Sequence, residues 1–215
     1  KHKNIRQNGF QETDIVTIVK SLTKYAVMVL DPNNILYELE KSYFIMKHGR
    51  PGPVLLDIPI DVQRTPVQPD QLKHFFGSPE HKKLSEIASE ADVSEKIKQL
   101  EILLRAAKAP VVLVGGGVRT SNTTKELNMF TIKNNLPVVC SLMGLDSFPA
   151  AEKNFVGFIG SYGNREANIV FANADLIIAL GSRLDLRQTG NPKLFAKNAT
   201  IVHVDIDPYS INAGI

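Results

Sequence analysis

The sequence predicts an α/β protein whose larger part is a doubly wound parallel sheet. Three observations carry this reading. First, four short runs are almost wholly aliphatic: Val111–Val114, Val138–Cys140, Asp175–Leu180 and Thr200–Asp205. Runs of that length and composition suit strands buried on both faces, the condition of a parallel sheet covered by helices. Second, segments with apolar residues recurring every three or four positions alternate with the runs, as crossover helices require. Third, glycines and acids gather just after the runs, at the edge where such sheets usually take ligands.

The first block extends to Arg64. Asp14 stands before Ile15, Val16, Ile18, Val19 and Leu22, a spacing that predicts a short helix capped by an acid. A second helix is expected from Asn33-Asn34, with Ile35, Leu36, Leu39, Tyr43 and Met46 on one face and Gly49 closing it. Arg50-Pro51-Gly52-Pro53 then turns the chain into the buried strand Val54–Pro59. This block is too short for a complete parallel-sheet domain. From Thr65 to Ala91 the composition shifts to Pro, Gln, His and Lys without a clean period, so this stretch is expected to link two domains.

The second block, 92–215, opens with a helix. Asp92 and Glu95 have capping-box spacing ahead of Val93, Ile97, Leu100, Leu104 and Ala107, and Pro110 ends the pattern. The strand Val111–Val114 follows, closed by Gly115-Gly116-Gly117. A helix from about Thr123 carries Leu127, Phe130 and Ile132, and Pro137 leads into Val138–Cys140. After a glycine-rich loop, a helix around 166–172 precedes the last two strands.

Composition narrows the function. A hydrophobic share of 43% fills a core, and no apolar run reaches the roughly 18 residues of a membrane span. A net charge of +3 with scattered basic residues suggests neither nucleic acid nor membrane as a partner. The single cysteine, Cys140, fits a reducing, cytoplasmic setting and reads as an inert core thiol. The five histidines show no metal-ligand spacing, and neither a nucleophile elbow nor a P-loop occurs.

The Gly115–Gly117 turn allows two readings: backbone N–H groups open to a phosphate, or a tight turn that needs small residues. Thr120 at the third glycine position and the lack of a ribose-binding acid downstream disfavour an NAD dehydrogenase. Ser141-Leu142-Met143-Gly144, Gly181-Ser182-Arg183-Leu184-Asp185 and Asp205-Ile206-Asp207 follow the other three strands. Together they suggest a nucleotide-type site in which Arg183 pairs a phosphate and Asp205 accepts ribose hydroxyls. The plainer alternative is that they are ordinary loop residues.

Several stretches taken together resemble a known family. Gly9-Phe10-Gln11-Glu12-Thr13 and Gly49–Pro59 resemble the latter part of the pyrimidine-binding domain of thiamine-diphosphate enzymes of the acetolactate synthase large-subunit type. Pro110–Gly117, Ser141–Leu145, Ala179–Asp185 and Ile201–Asp207 resemble that family's central domain. The resemblance implies that Phe10 and Gln11 lie beside thiamine diphosphate and substrate and that Arg50 contacts FAD. It implies further that Gly115, Gly116, Gly117, Ser141, Leu142, Ile159, Gly160, Ser161, Tyr162, Gly181, Ser182, Arg183, Leu184, Asp185, Asp205 and Ile206 cradle the FAD. In acetolactate synthases that flavin is structural. Their reaction, part of branched-chain amino-acid biosynthesis, decarboxylates pyruvate and joins the two-carbon unit to a second 2-oxo acid.

The chain departs from the family at Ile60, where Lys is usual, at Leu186, where Asp is usual, and at Tyr162, where His is usual. A paralogous thiamine enzyme acting on another 2-oxo acid or an acyl-CoA is the alternative, as is a central domain that binds ADP or serves only as scaffold. The family's proton-relaying glutamate would precede Lys1, and its magnesium-binding Gly-Asp-Gly segment has no counterpart here. With Lys at the start and Ala213-Gly214-Ile215 at the end, the chain is expected to be an inactive fragment: 1–64 the end of the pyrimidine-binding domain, 65–91 a linker, 92–215 a truncated central domain. By the same resemblance the parent is expected to be a homo-oligomer, with a regulatory subunit as a further partner.

Overall fold

A computed structural model describes residues 13–86, 93–192 and 194–211. The chain divides into two compact units between Ala91 and Asp92. Phe10, Gln11 and Asp92 lie outside the described residues.

The first unit begins with α1 (Ile15–Val19). As its spacing predicts, Asp14 caps it, accepting from the Thr17 N–H at 3.0 Å and the Thr17 hydroxyl at 2.6 Å. Strands β1 (Tyr25–Met28) and β2 (Val54–Asp57) pair in parallel through the crossover helix α2 (Ile35–Lys47). β2 and α2 stand where the apolar pattern puts them. β1 was not legible because four residues ending on Met carry neither alternation nor a β-branched run. A short helix, α3 (Ile60–Arg64), follows.

The stretch after Thr65, expected as a linker, carries structure of its own as far as Glu86. It ends in α4 (Pro79–Glu86) and packs against α2. Phe75 is fully buried, edge-on to Tyr37 at 5.5 Å and 5.6 Å from Phe44. Glu40 of α2 accepts the N–H groups of Phe75 at 2.7 Å and Phe76 at 3.3 Å, and meets His74 Nδ1 at 2.8 Å. Glu80 of α4 accepts the Tyr37 hydroxyl at 2.5 Å and pairs with Lys41 at 2.9 Å. One aromatic and two carboxylates anchor the segment, so no periodic face announces it.

The second unit is a five-stranded parallel sheet of β3 (Pro110–Val114), β4 (Val138–Cys140), β5 (Phe155–Phe158), β6 (Leu176–Leu180) and β7 (Thr200–Val204), ordered β5-β4-β3-β6-β7. Its helices are α5 (Ser94–Ala106), α6 (Gly116–Thr120), α7 (Thr124–Lys133), α8 (Arg165–Ala172) and α9 (Leu186–Thr189). Val111, Leu113, Ile177 and Ala179 pack on one face with Ala167 and Phe171 of α8. Val112, Val114, Ile178 and Cys140 pack on the other with Leu127 of α7 and Leu100, Leu103 and Leu104 of α5. Alternate strand residues thus feed two separate cores, which is the doubly wound arrangement expected. α5 starts behind Val93, which offers no side-chain cap. The expected glycine-rich loop contains β5, hidden because Gly157, at φ +130°, interrupts its apolar run.

Asp175 fastens the start of β6 to the start of β3, accepting the N–H groups of Lys108 at 2.7 Å and Ala109 at 2.9 Å. Those bonds hold its carboxyl below the usual range.

Cys140 has no exposed surface, and burial pushes its thiol up to about 12. A thiol reagent should therefore leave the native chain unlabelled at neutral pH and label it stoichiometrically in denaturant. Glu40 is pushed upward by burial, but hydrogen bonds from His74 and the Phe76 and Phe75 N–H groups outweigh this and leave its carboxyl lowered. Hydrogen bonds from Tyr37 and Lys41 lower Glu80. With folded values depressed, their contribution is complete above the ordinary glutamate range and disappears as pH falls through the depressed values. The Glu40→Gln/Glu80→Gln variant should melt lower at neutral pH, and its melting temperature should change less than the parent's between roughly pH 6 and pH 3.

Candidate nucleotide site at the strand C-termini

Strand register brings the site loops to one edge. Val114 pairs with both Cys140 and Leu180, Cys140 with Phe158, and Leu180 with Val204. All five strands therefore end level, and the loops after them emerge side by side. The order reverses between β3 and β6, the switch point at which open α/β sheets form their crevice.

At that point the backbones of neighbouring loops lock together. The Gly115 N–H donates to Leu180 at 2.9 Å and the Gly117 N–H to Gly181 at 3.0 Å. A Cβ on Gly115 would overlap the Gly181 carbonyl oxygen, and one on Gly117 would lie 2.7 Å from the Gly181 Cα. A Cβ on Gly144 would overlap the Val114 carbonyl oxygen, and one on Gly116 would come within 2.9 Å of the Met143 carbonyl oxygen. Arg119 of α6 closes the contact through an ion pair with Asp146. Of the two readings of the glycine turn, the tight turn describes this geometry: two of its three N–H donors serve the fold, and α6 has only five residues.

The other loops are held by side chains that sequence reasoning did not single out. Asn164 Oδ1 accepts the Phe158 N–H at 3.0 Å, while Asn168 accepts from the Gly160 N–H at 3.1 Å and donates to the Gly160 carbonyl at 3.2 Å. These bonds fix the Ile159-Gly160-Ser161-Tyr162 loop, whose Ser161 N–H reaches across to the Arg187 carbonyl at 3.2 Å. In the β6 loop Ser182 is buried, and its carbonyl meets His203 Nε2 at 2.7 Å. Leu184 is also buried and takes a left-handed φ of +52°, rare for a branched side chain. Asp185 caps α9 through the Arg187 N–H at 2.9 Å, so this carboxylate is engaged within its own turn. Asp205 likewise accepts the Asp207 N–H at 2.9 Å. Asn168, Gln188 and His203 act through loop contacts only, and no spacing in the sequence reports such contacts.

What remains outward is apolar and cationic. Leu142 is 57% exposed, Met143 70%, Tyr162 88% and Ile206 66%, one or two from each of three loops. Arg183, on the loop after β6, is exposed with no ion-pair partner among the described residues. Exposed large side chains and an exposed guanidinium at one sheet edge are the groups that fit a ligand with a flat ring system and an anionic group. Among the described residues no three His, Cys, Asp or Glu side chains gather to hold a metal ion, and no helix is long and apolar enough to cross a membrane. Arg50 is exposed in the first unit, where its carbonyl accepts Lys24 Nζ at 2.9 Å. Ser141 is buried under Val114, to whose carbonyl its N–H donates at 2.8 Å.

This parallel sheet, flanked by helices and with its loops interlocked at the switch point, is a doubly wound α/β domain. Residues 97–215, more than half of the chain, match the family model described as thiamine pyrophosphate enzyme, central domain, and the chain belongs to that family. It is 36% identical over 98% of its length to the acetolactate synthase large subunit of Haemophilus influenzae. It is 38% identical over 97% to the acetolactate synthase isozyme 3 large subunit of Escherichia coli, and 38% over 96% to the chloroplastic acetolactate synthase 1 of Zea mays. The chain spans about a third of the length of these relatives, 36%, 36% and 32% respectively.

The interlock makes a sharp prediction. Gly115→Ala, which forces a Cβ into the Gly181 carbonyl, should destabilise the second unit by about 3 kcal/mol in chemical denaturation. Thr120→Ala, on the exposed end of α6, should stay within about 0.5 kcal/mol of the parent.

Proposed function

We propose that the chain is a segment of an acetolactate-synthase-type enzyme, one that decarboxylates pyruvate and transfers the two-carbon unit to a second 2-oxo acid in branched-chain amino-acid biosynthesis. Similarity to acetolactate synthase large subunits over almost the whole chain supports this reading. Thiamine diphosphate supplies the electron sink for decarboxylation. Phe10 and Gln11 would stand beside it, and the magnesium site would lie on residues this chain does not contain. The parent works as a cytoplasmic homo-oligomer, with a regulatory subunit as a further partner. The chain comprises the end of a pyrimidine-binding domain and a central domain.

Within the central domain the proposed role is to hold FAD across the strand C-termini. The observation that carries it is the exposure of Leu142, Met143, Tyr162 and Ile206 on loops at the same sheet edge as Arg183, which has no ion-pair partner among the described residues. Arg183 binds the anionic diphosphate, those apolar side chains cover the ring systems, and Asp205, with one carboxylate oxygen bonded to Asp207, offers the other to ribose hydroxyls. The glycine turn shapes the floor of the site through backbone contact. Tyr162 and Leu186, apolar and exposed where the family usually carries His and Asp, favour as second reading a paralogue that holds ADP and serves another 2-oxo acid or an acyl-CoA.

FAD fluorescence should be quenched on titration with the chain, and Arg183→Ala should weaken that binding about tenfold, the scale of one charge-assisted hydrogen-bond pair. Tight ADP with no FAD binding would favour the paralogue. Supplied with thiamine diphosphate, magnesium and pyruvate, the 215-residue chain should release no carbon dioxide above a protein-free control; measurable release would overturn its reading as an incomplete enzyme.

A further inference from the structure

We infer that Gln188 is a positioning residue, whose amide closes the Ser182–Asp185 arch and so aims Arg183 at the anionic group of the bound nucleotide. This rests on the nucleotide-site reading above. Ser182 and Asp185 flank the two-residue arch Arg183-Leu184. The Gln188 carbonyl oxygen accepts the Ser182 hydroxyl at 2.9 Å, and its amide nitrogen donates to Asp185 Oδ2 at 3.3 Å. A single side chain therefore ties both ends of the arch. Only a group that accepts and donates at once can do this, because the Asp185 carboxylate needs a donor while the Ser182 hydroxyl, buried, needs an acceptor.

The arch needs such a tie. Leu184 is held at φ +52° with its side chain in the core, a conformation that persists only where surrounding contacts impose it. His203 on the Ser182 carbonyl and the Asp185 cap on α9 fix the arch from below and behind. Gln188 is the contact that spans it. Arg183, between the two tied residues, has no ion-pair partner among the described residues, so its direction is set by the arch and by whatever anion it meets. Holding it ready reduces the ordering cost of binding that anion.

The test is a double-mutant cycle on the full chain, with FAD and ADP as titrants and melting temperature as a control for folding. Gln188→Met keeps volume and removes both bonds. In the parent background it should weaken binding about five- to tenfold, the scale of one or two hydrogen bonds. In an Arg183→Ala background it should weaken binding less than twofold, because the residue through which Gln188 acts is gone. Ser182→Ala should show the same pattern. Equal losses in both backgrounds, or no loss in a parent that binds, would overturn the inference and leave the site standing. A parent that binds neither FAD nor ADP would overturn the site, and the inference with it.

Discussion

The central domain depends on backbone meeting backbone at the switch point of its sheet. Gly115 and Gly117 after β3 press against Gly181 and Ser182 after β6, while Gly144 after β4 lies against the carbonyl of Val114. No side chain separates these loops, so the strand ends stay level and the loops cannot drift apart. The loops after β3, β4 and β6 take their places from this contact. Ser141 is buried beneath it, Arg119 and Asp146 bridge its flank, and the arch carrying Arg183 starts from its far side.

This constraint changes the meaning of the glycines. In a dinucleotide fold a glycine turn often leaves N–H groups free for phosphate. Here Leu180 and Gly181 take two of those N–H groups, and the cation at the edge is a side chain instead. In the proposed reading such a domain would hold its ligand by Arg183 and exposed apolar side chains, over a floor of interlocked backbone. The polar groups of Asp185 and Asn168 are engaged in loop geometry. Polar side chains set the loops, while Leu142, Met143, Tyr162, Ile206 and Arg183 are exposed at the edge.

The first unit uses a different device. Its two strands are only partly buried, Leu39, Tyr43 and Met46 of α2 are exposed, and the segment to Glu86 packs on α2 with Phe75 as its buried anchor. Glu40 and Glu80 satisfy backbone and hydroxyl donors there, which a segment rich in Pro and Lys could not do by its own periodicity. The polar anchors make that packing sensitive to acid, as the Asp175 carboxylate does where it ties β6 to β3 in the second unit.

Much of this was legible in the sequence alone. Four of the five strands of the second unit, its two longer crossover helices and the helix α2 follow from aliphatic runs and three-to-four spacing, because burial on both faces selects residue type directly. The loops of the candidate site were legible as well, since strand C-ends and glycines mark them. β1, β5 and α4 were not, for they are short, interrupted or anchored by contacts distant in sequence. Nor could the sequence decide whether the glycines made room for a ligand or for the chain itself. It could not single out Asn168, Gln188 and His203 as the groups that hold the loops. Those outcomes depend on which backbone atoms come together across the switch point, and only the packed sheet sets those distances.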